Sequence, residues 1–332
     1  MRLISLLFLT YSLVDVIGNE VEARTESSKP PLRKDADQDK MGFKLADLET
    51  ARDISEFVAP EKPPKYFGID IDGTMYAEGQ EEREKNIKTF AQVMEKGHTP
   101  FFCTGRSYRS SMSIFGGDLE NNTTYKGYPG VYNNGSSVYD KDGNIVFSRT
   151  FQRDFLEAFI AFLEKKGIQN KCIFYTETND FSIGEFDPKW KATLDSRKIP
   201  YPEPKTAQEI LNMKVIYLSV DCDHYDLGNF KENVDYLKKI SSSGLYNVTP
   251  GNVNKALGLT KLLEHVGANV EDLGYIGNAE NDIEAMELSP LSFAVANAKD
   301  DVKEHAKWIL DITCNEAGVA KALALVYGLQ IP

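Results

Sequence analysis

The chain has 332 residues, enough for one large domain or two modest ones, and it carries a formal net charge of −12 with a pI of about 5.0. This negative balance disfavours a general affinity for nucleic acid or for anionic membranes, because those partners carry the same sign of charge. The four histidines (His98, His224, His265 and His305) are scattered without the spacing of zinc ligands, which argues against a zinc enzyme.

The N-terminal segment is predicted to be a leader and a linker. A basic start precedes an apolar run at 3–10, and small residues follow at Gly18 and Ala23. This layout is typical of a secretory signal peptide over 1–23 and is too short for a comfortable transmembrane helix, although a retained anchor is an alternative. Residues 24–64 are polar and rich in proline, which predicts a flexible linker. We expect a secreted or endomembrane-lumenal protein, or a cytoplasmic one if this segment is not a signal.

The folded part is predicted to begin near Lys65, with an apolar strand that runs into Asp70-Ile71-Asp72-Gly73-Thr74. Residues two apart in a strand share a face, so Asp70 and Asp72 are expected side by side at the strand's carboxyl end. In an open parallel sheet that edge is where ligands bind. Two crowded carboxylates repel each other unless a cation joins them. One can serve as nucleophile or metal ligand, and the other as proton carrier.

A helix at 84–96 and a strand at 100–103 follow, and this second strand ends in Thr104-Gly105-Arg106. Strand, helix and strand at this spacing form a βαβ unit, which requires a parallel sheet. Further strands are predicted at 130–139 and 143–147, where Asp142-Gly143 is a hairpin signal.

The segment at 150–247 is predicted to be an inserted α+β domain. Its predicted elements are a helix at 151–166, strands at 172–176 and 214–220, and a helix at 229–240. Cys172 and Cys222 both fall in this insertion, and the sequence leaves open whether they form a disulfide.

Alternating strands and helices return after Asn254, which is predicted to cap a helix that ends at Gly267. A strand at 273–276 then runs into an acid–amide cluster, Asn278, Asn281 and Asp282. The remaining predicted elements are strands at 291–296 and 308–312 and a helix at 319–327. The sequence therefore predicts an α/β sheet domain, built from 65–149 and 248–332, that the insertion interrupts.

Four features thus lie at strand ends or helix starts of the sheet domain: the aspartate pair, the Thr104 motif, Lys255 and the acid–amide cluster. Together they resemble the haloacid dehalogenase (HAD) superfamily of aspartate-nucleophile phosphatases, and most closely its Cof-type branch with a type IIB cap. The resemblance covers about 65–330. It implies a Rossmann-like parallel-sheet core, with the insertion acting as a cap that determines substrate specificity.

The resemblance also implies roles for individual residues. Asp70 is the implied nucleophile and Asp72 the implied general acid/base of a phosphomonoester hydrolase. The implied phosphate-binding residues are Thr104, Gly105, Lys255 and Asn281, and the implied Mg²⁺ ligands are Asp70, Asp72, Asn278 and Asp282. The implied partner is a small phosphorylated metabolite, such as a sugar phosphate.

One position departs from the pattern of this branch. Its fourth motif normally reads Gly-Asp-x-x-Asn-Asp, and Asn278 stands where the first aspartate is expected. An amide oxygen still suits a hard cation but brings no charge, so weaker metal binding is expected. Two alternative functions stay open: a secreted phosphatase-like binding protein with a decayed metal site, and a phosphomutase that shares the superfamily and cap type.

Overall fold

The protein is described here by a computed structural model that covers residues 52–196, 198–222, 227–240 and 245–332. The predicted signal peptide and most of the predicted linker lie outside these residues. Within the described part of the chain, no helix combines the length and the apolar character that crossing a membrane requires.

The described strands and helices alternate through much of the chain. The strands are β1 (Arg52–Asp53), β2 (Tyr66–Ile69), β3 (Thr99–Cys103), β4 (Gly130–Tyr132), β5 (Ser137–Tyr139), β6 (Ile145–Ser148), β7 (Cys172–Tyr175), β8 (Asp180–Ile183), β9 (Glu203–Lys205), β10 (Tyr217–Val220), β11 (Tyr236–Ile240), β12 (Tyr246–Pro250), β13 (Leu273–Gly277), β14 (Leu291–Ala294) and β15 (Trp308–Ile309). The helices are α1 (Gln80–Glu95), α2 (Tyr108–Ile114), α3 (Asp118–Asn122), α4 (Arg153–Lys166), α5 (Pro188–Ser196), α6 (Ala207–Leu211), α7 (Lys255–Val266), α8 (Ile283–Leu288), α9 (Asp300–Lys303) and α10 (Gly318–Tyr327).

The larger sheet has the strand order β1-β15-β14-β13-β2-β3-β4-β5-β6. Its pairs are parallel from β1 to β4, and only β5 and β6 run antiparallel to their neighbours. The central strand β2 is apolar, and Phe67 and Ile69 are fully buried, as expected of a parallel strand covered on both faces. Because β13, β2 and β3 are parallel neighbours, the residues that follow their last members meet at one edge of the sheet. These residues are Asn278, Asp70 and Thr104.

The smaller sheet has the order β11-β12-β10-β7-β8-β9, and all of its pairs except β8–β9 are antiparallel. Alternate residues of β7 and β10 enter two different hydrophobic clusters. Phe174 and Leu218 pack with residues of α4, whereas Ile173 and Tyr217 pack with residues of α5 on the other face. This sheet with its helices is the inserted domain, and we call it the cap.

The predicted end of the linker at residue 64 is wrong. Arg52–Asp53 pair in parallel with Trp308–Ile309 at the edge of the larger sheet, and Ile54 is buried in its core. The guanidinium of Arg52 also lies 4.5 Å from the centre of the Trp308 ring. Two paired residues and one buried isoleucine are enough to attach this segment to the sheet. So short an apolar signal is not visible in a segment whose composition is otherwise polar.

Left-handed asparagines interrupt two predicted elements. The predicted helix at 229–240 is wrong: Asn233 has a φ of +67°, and the chain then forms β11, antiparallel to β12. The predicted strand at 130–139 is broken because Asn133 and Asn134 have φ values of +51° and +53° and form a short turn between β4 and β5. Asparagine tolerates this region better than most residues, so a single position can end an element that the apolar pattern extends.

Two further details concern the cap. Its last strand, β12, ends at Pro250 and so runs past the predicted boundary at 247. Cys172 is a buried free thiol, so the disulfide with Cys222 that the sequence left open is not formed.

One cap carboxyl group is buried at an energetic cost. Asp180 is 2% exposed, and its Oδ2 atom has no hydrogen-bond partner within the described structure. Burial raises the pKa of Asp180 to about 6, and the positive charge of Arg109 offsets part of that rise. A pKa above the unfolded value of about 4 means that Asp180 contributes stability at low pH, which is lost as pH rises from about 4 through 6.

Asp180→Asn is therefore expected to increase the free energy of unfolding at pH 8 by about 1–2 kcal/mol and to change it little at pH 4. Urea unfolding at both pH values measures this difference. Glu185→Gln, which changes an exposed cap acid, serves as the control and should leave stability unchanged at both. Equal effects of Asp180→Asn at the two pH values would show that ionisation of Asp180 is not the cause.

Candidate active site

The centre of the site is a fully buried lysine between two carboxylates. Asn254 accepts a hydrogen bond from the Leu257 amide at 2.9 Å and so caps α7, which places Lys255 in the first turn. Lys255 Nζ donates to Asp70 Oδ1 at 2.7 Å and to Asp282 Oδ1 at 2.5 Å. Helix α7 thus fixes the position of Asp70, which directly follows β2.

The charges in this network shift one another's pKa values. Burial raises the pKa of the Asp70 carboxyl above its usual range, while the charge of Lys255 opposes that rise. Burial by itself would lower the pKa of Lys255, but the carboxylates of Asp282 and Asp70 outweigh it and raise that pKa. One buried ammonium faces two carboxylates, so the ionised network has a surplus of negative charge that favours an additional cation.

Asp282 is held by hydrogen bonds on both of its oxygens. Tyr275 donates its hydroxyl to Oδ1 at 2.5 Å, beside Lys255, and the amides of Asn278 and Ala279 donate to Oδ2 at 2.9 Å each. The side chain is fully buried. This arrangement makes Asp282 a positioning residue for Lys255 and for the turn after β13. Its predicted role as a direct metal ligand would require these bonds to be exchanged.

Asp72 forms an ion pair with Arg106. The guanidinium donates from Nε and from an Nη atom to the two carboxylate oxygens, each at 2.7 Å. Arg106 is 8% exposed and also donates to Ser110 Oγ at 2.7 Å. A carboxylate that accepts two charge-assisted hydrogen bonds from arginine is held in a fixed orientation.

Asn278 lies against the loop that follows β2. Its Oδ1 accepts a hydrogen bond from Thr74 Oγ1 at 3.1 Å. Gly73 has a φ of +76°, and a Cβ atom there would lie 2.4 Å from Asn278 Nδ2. Glycine is therefore required at Gly73 both for the backbone conformation and for the close approach of the amide.

The oxygen donors at this edge fit a magnesium ion with few protein ligands. Mg²⁺ is usually bound through one or two carboxylates and keeps several waters, and Asp70 with the amide oxygen of Asn278 offers that type of donor. Because the Asp72 side chain is engaged by Arg106, a contribution of Asp72 to the metal would come from its main-chain carbonyl. Among the described residues, no three His, Cys, Asp or Glu side chains cluster in a way that could hold a metal.

The other predicted phosphate-binding residues lie at the same edge. Thr104 is fully buried, and its Oγ1 accepts a hydrogen bond from the Arg106 amide at 3.2 Å, so it shapes the turn after β3. Gly105 and Asn281 line a cavity of about 100 Å³ between the core and the cap, together with Asp70 and Asp72. We call this cavity the active-site chamber.

Asn134 connects the core, the chamber and the cap. Its Oδ1 accepts from Asn281 Nδ2 at 2.8 Å, and its Nδ2 donates to the hydroxyl of Tyr217 on the cap strand β10 at 3.2 Å. Gly105 packs against the same amide, because a Cβ atom there would lie 3.1 Å from Asn134 Oδ1. The left-handed turn that broke the predicted strand is what places this side chain.

Two contributors to the site were not assigned roles from sequence. Arg106 belongs to the motif after β3, and its place directly behind Thr104-Gly105 was the available signal. Tyr275 lies inside an apolar strand, where the sequence predicts only a residue of the hydrophobic core. Its partnership with Asp282 depends on the turn after β13, which no spacing in the sequence reveals.

The comparison with known families settles the classification. The chain matches the family model of haloacid dehalogenase-like hydrolases over residues 67–323. It belongs to this family. The predicted Cof-type branch and the capped α/β fold are confirmed by solved structures of the same kind. A HAD/COF-like hydrolase from Plasmodium vivax is 28% identical, with a TM-score of 0.71 over 81% of this chain and 97% of that one.

Two other relatives of this HAD-family chain carry phosphatase names, and a third is named as an endoribonuclease. The 5-amino-6-(5-phospho-D-ribitylamino)uracil phosphatase YcsE of Bacillus subtilis is 27% identical over 78% of this chain and 94% of its own length. The HAD subclass IIB sugar phosphatase BT4131 shares the fold at a TM-score of 0.64 and 21% identity, covering 78% of this chain and 97% of that one. The chloroplastic endoribonuclease YBEY of Arabidopsis thaliana is 24% identical over 92% of this chain, which spans only 56% of that protein.

Proposed function

We propose that this protein is a Mg²⁺-dependent phosphomonoester hydrolase that forms an aspartyl-phosphate on Asp70. The observation that carries the proposal is the buried Lys255, which holds the Asp70 carboxylate at 2.7 Å at the edge of the chamber. A carboxylate fixed in this way, next to a second carboxylate on the same loop, is suited to covalent catalysis. The phosphatase names of the HAD relatives support the same class of reaction.

In the first step, Asp70 attacks phosphorus, the bond to the leaving oxygen breaks, and Asp72 delivers its proton to that oxygen. In the second, Asp72 takes a proton from water, which attacks the phosphorus of the aspartyl-phosphate and restores Asp70. Asp72 carries a proton at the start of this cycle, so its ion pair with Arg106 has to open during turnover.

The other residues of the candidate site bind and orient the phosphate. Lys255 and the amide groups after Asp70 and Thr104 offer positive charge and hydrogen-bond donors, and Gly105 leaves room for the phosphate oxygens. Asp70, the main-chain carbonyl of Asp72 and Asn278 would hold Mg²⁺. When bound, the metal supplies charge neutralisation between the carboxylate and the phosphate. The substrate is a small phosphorylated metabolite, and a sugar phosphate is the class that the resemblance implies.

The proposal is tested by following phosphate release from p-nitrophenyl phosphate, with Mg²⁺ and with excess EDTA. We expect turnover only in the presence of the metal. Turnover that is unchanged in EDTA would contradict the metal-dependent scheme. A phosphorylated product that is an isomer of a sugar-phosphate substrate, without free phosphate, would point to the phosphomutase alternative.

The uncharged Asn278 favours one competing function, a binding protein that retains the fold and has lost catalysis. Asn278→Asp is expected to bind Mg²⁺ at least tenfold more tightly, because a carboxylate replaces a neutral ligand and can still accept the Thr74 hydroxyl. Calorimetric titration with MgCl₂ measures this, and Asn278→Ala, expected to bind more weakly than the parent, is the control. Catalysis by the aspartate variant combined with an inactive parent would support the binding protein.

We also propose that the chain enters the secretory pathway. N-terminal sequencing of the mature protein from a eukaryotic host is expected to begin after Gly18 or Ala23. Asn121, Asn122 and Asn134 each begin an Asn-x-Ser/Thr sequon for N-glycosylation. Asn134 is 5% exposed and its Nδ2 donates to the Tyr217 hydroxyl, whereas Asn121 and Asn122 are exposed. Peptide mass spectrometry is therefore expected to find Asn134 unmodified. An intact Met1 would contradict entry into the secretory pathway, whereas a glycan on Asn134 would contradict the buried placement of that side chain at the candidate site.

A further inference from the structure

The cap presents an apolar wall to the active-site chamber. Chamber residues on β7, β10 and α5 and just after α5 are Ile173, Tyr175, Leu194, Ile199 and Tyr217. They belong to one hydrophobic cluster or pack against it, and the rings of Tyr175 and Tyr217 lie 5.2 Å apart. Within the described part of the cap, no carboxylate lines the chamber.

Three cap residues with polar groups at the chamber are engaged by protein partners, namely Ser219, Lys239 and Tyr217. Ser219 donates its hydroxyl to Asn247 Oδ1 at 2.9 Å, and Lys239 forms ion pairs of 3.5 and 3.4 Å with Glu280 and Glu284 of the core. The hydroxyl of Tyr217 accepts a hydrogen bond from Asn134. Within the described part of the cap, these contacts reduce the number of donors and acceptors that can bind the hydroxyl groups of a polyol.

The core side of the chamber has the opposite character. Charged or polar residues line this side, namely Asp70, Asp72, Arg106 and Asn281. A substrate in this chamber therefore meets charge at its phosphate end and hydrocarbon at its leaving-group end. The chamber is small, about 100 Å³, so a compact leaving group fits it best.

Resting on the proposed phosphatase function, we propose that the preferred substrates are phosphomonoesters of compact apolar or aromatic alcohols, and not of sugars or polyols. Each hydroxyl buried against the wall without a partner would cost binding energy, whereas an apolar group gains by leaving water. Discrimination by unpaired hydroxyl groups and by methylene burial each amounts to a factor of roughly ten or more per group.

The test compares benzyl phosphate with erythritol 4-phosphate, whose leaving alcohols have the same number of non-hydrogen atoms and are both unactivated. Acetyl phosphate, whose small leaving group needs few cap contacts, reports on the chemistry itself. We expect kcat/KM for benzyl phosphate to exceed that for erythritol 4-phosphate by at least about tenfold. As a readout independent of turnover, benzylphosphonate is expected to raise the melting temperature more than the phosphonate analogue of the polyol.

A matched pair of variants localises the preference. Ile199 is half-buried beside α5, so it can be changed with little risk to the fold. Ile199→Thr is expected to lower the benzyl-to-erythritol ratio of kcat/KM about threefold or more, because it replaces part of the apolar surface of the wall with a hydroxyl group. Ile199→Val, which keeps the apolar surface, is expected to retain the ratio.

The outcomes separate this inference from the function on which it rests. Failure to hydrolyse acetyl phosphate and both esters would overturn the phosphatase proposal, and the substrate preference with it. Turnover of acetyl phosphate combined with equal or greater activity on erythritol 4-phosphate, or with activity on neither ester, would overturn the preference alone. Turnover with the expected ratio, lost in Ile199→Thr, supports both.

Discussion

Asp70→Asn is expected to lower phosphate release by at least ~10⁴-fold and to leave the protein folded, because the amide cannot form the covalent intermediate. The asparagine oxygen can still accept the hydrogen bond from Lys255, and Lys255 retains the Asp282 carboxylate at 2.5 Å. The substitution also removes a carboxyl group whose burial raises its pKa, so no large loss of stability is expected. Phosphate release and the melting temperature measure the two effects.

The covalent intermediate gives this prediction a second readout. In the parent enzyme, acid-quenched mass spectrometry during turnover is expected to find phosphate on the peptide that contains Asp70, and none in Asp70→Asn. Asp142→Asn, which alters a largely exposed acid of the β5–β6 hairpin, is the control and should keep full activity. A variant at Asp70 that retained more than about one-hundredth of the activity would show that Asp70 is not the nucleophile.

That the main site residues lie close together could be predicted from the sequence. A clearly apolar segment, which predicts a strand, precedes each of Asp70, Thr104 and Asn278. Parallel strands bring the residues that follow them to one edge of the sheet. Lys255 was also predictable, because Asn254 is a clear helix cap that fixes where α7 begins. Local patterns therefore decide which side chains reach the site.

The pairing of those side chains was not predictable to the same degree. The ion pair between Asp72 and Arg106 joins loops after two different strands, and the bond from Tyr275 to Asp282 depends on how one turn closes. Local patterns give no information on such contacts. The same limit applies to the cap. A helical spacing of apolar residues led to the prediction of a helix where β11 forms. The wall of the chamber could not be predicted, because it forms only when β7, β10 and α5 pack together.

The buried lysine makes the candidate site energetically costly to disturb. Lys255 is fully buried, and it neutralises part of the charge of Asp70 and Asp282 at 2.7 and 2.5 Å. Lys255→Met would leave two buried carboxylates without a cation. Breaking a buried ion pair by removing one partner typically costs about 3–5 kcal/mol, a large part of the ~5–15 kcal/mol that stabilises a domain.

We therefore expect Lys255→Met to lower the free energy of unfolding by about 3–5 kcal/mol in urea titrations and to abolish phosphate release. Lys261→Met, which changes a more exposed lysine of the same helix paired with Glu264, is the control, expected to change stability by less than about 1 kcal/mol. Adding Asp282→Asn to Lys255→Met removes one of the two buried carboxylates that lack a cation. The loss of stability in the double variant should therefore be smaller than the sum of the losses in the two single variants. Because the phosphate would still lack its cation, activity should not return. Additive stability losses would show that the two residues do not interact through charge, and an active Lys255→Met would show that the lysine is dispensable for binding the phosphate.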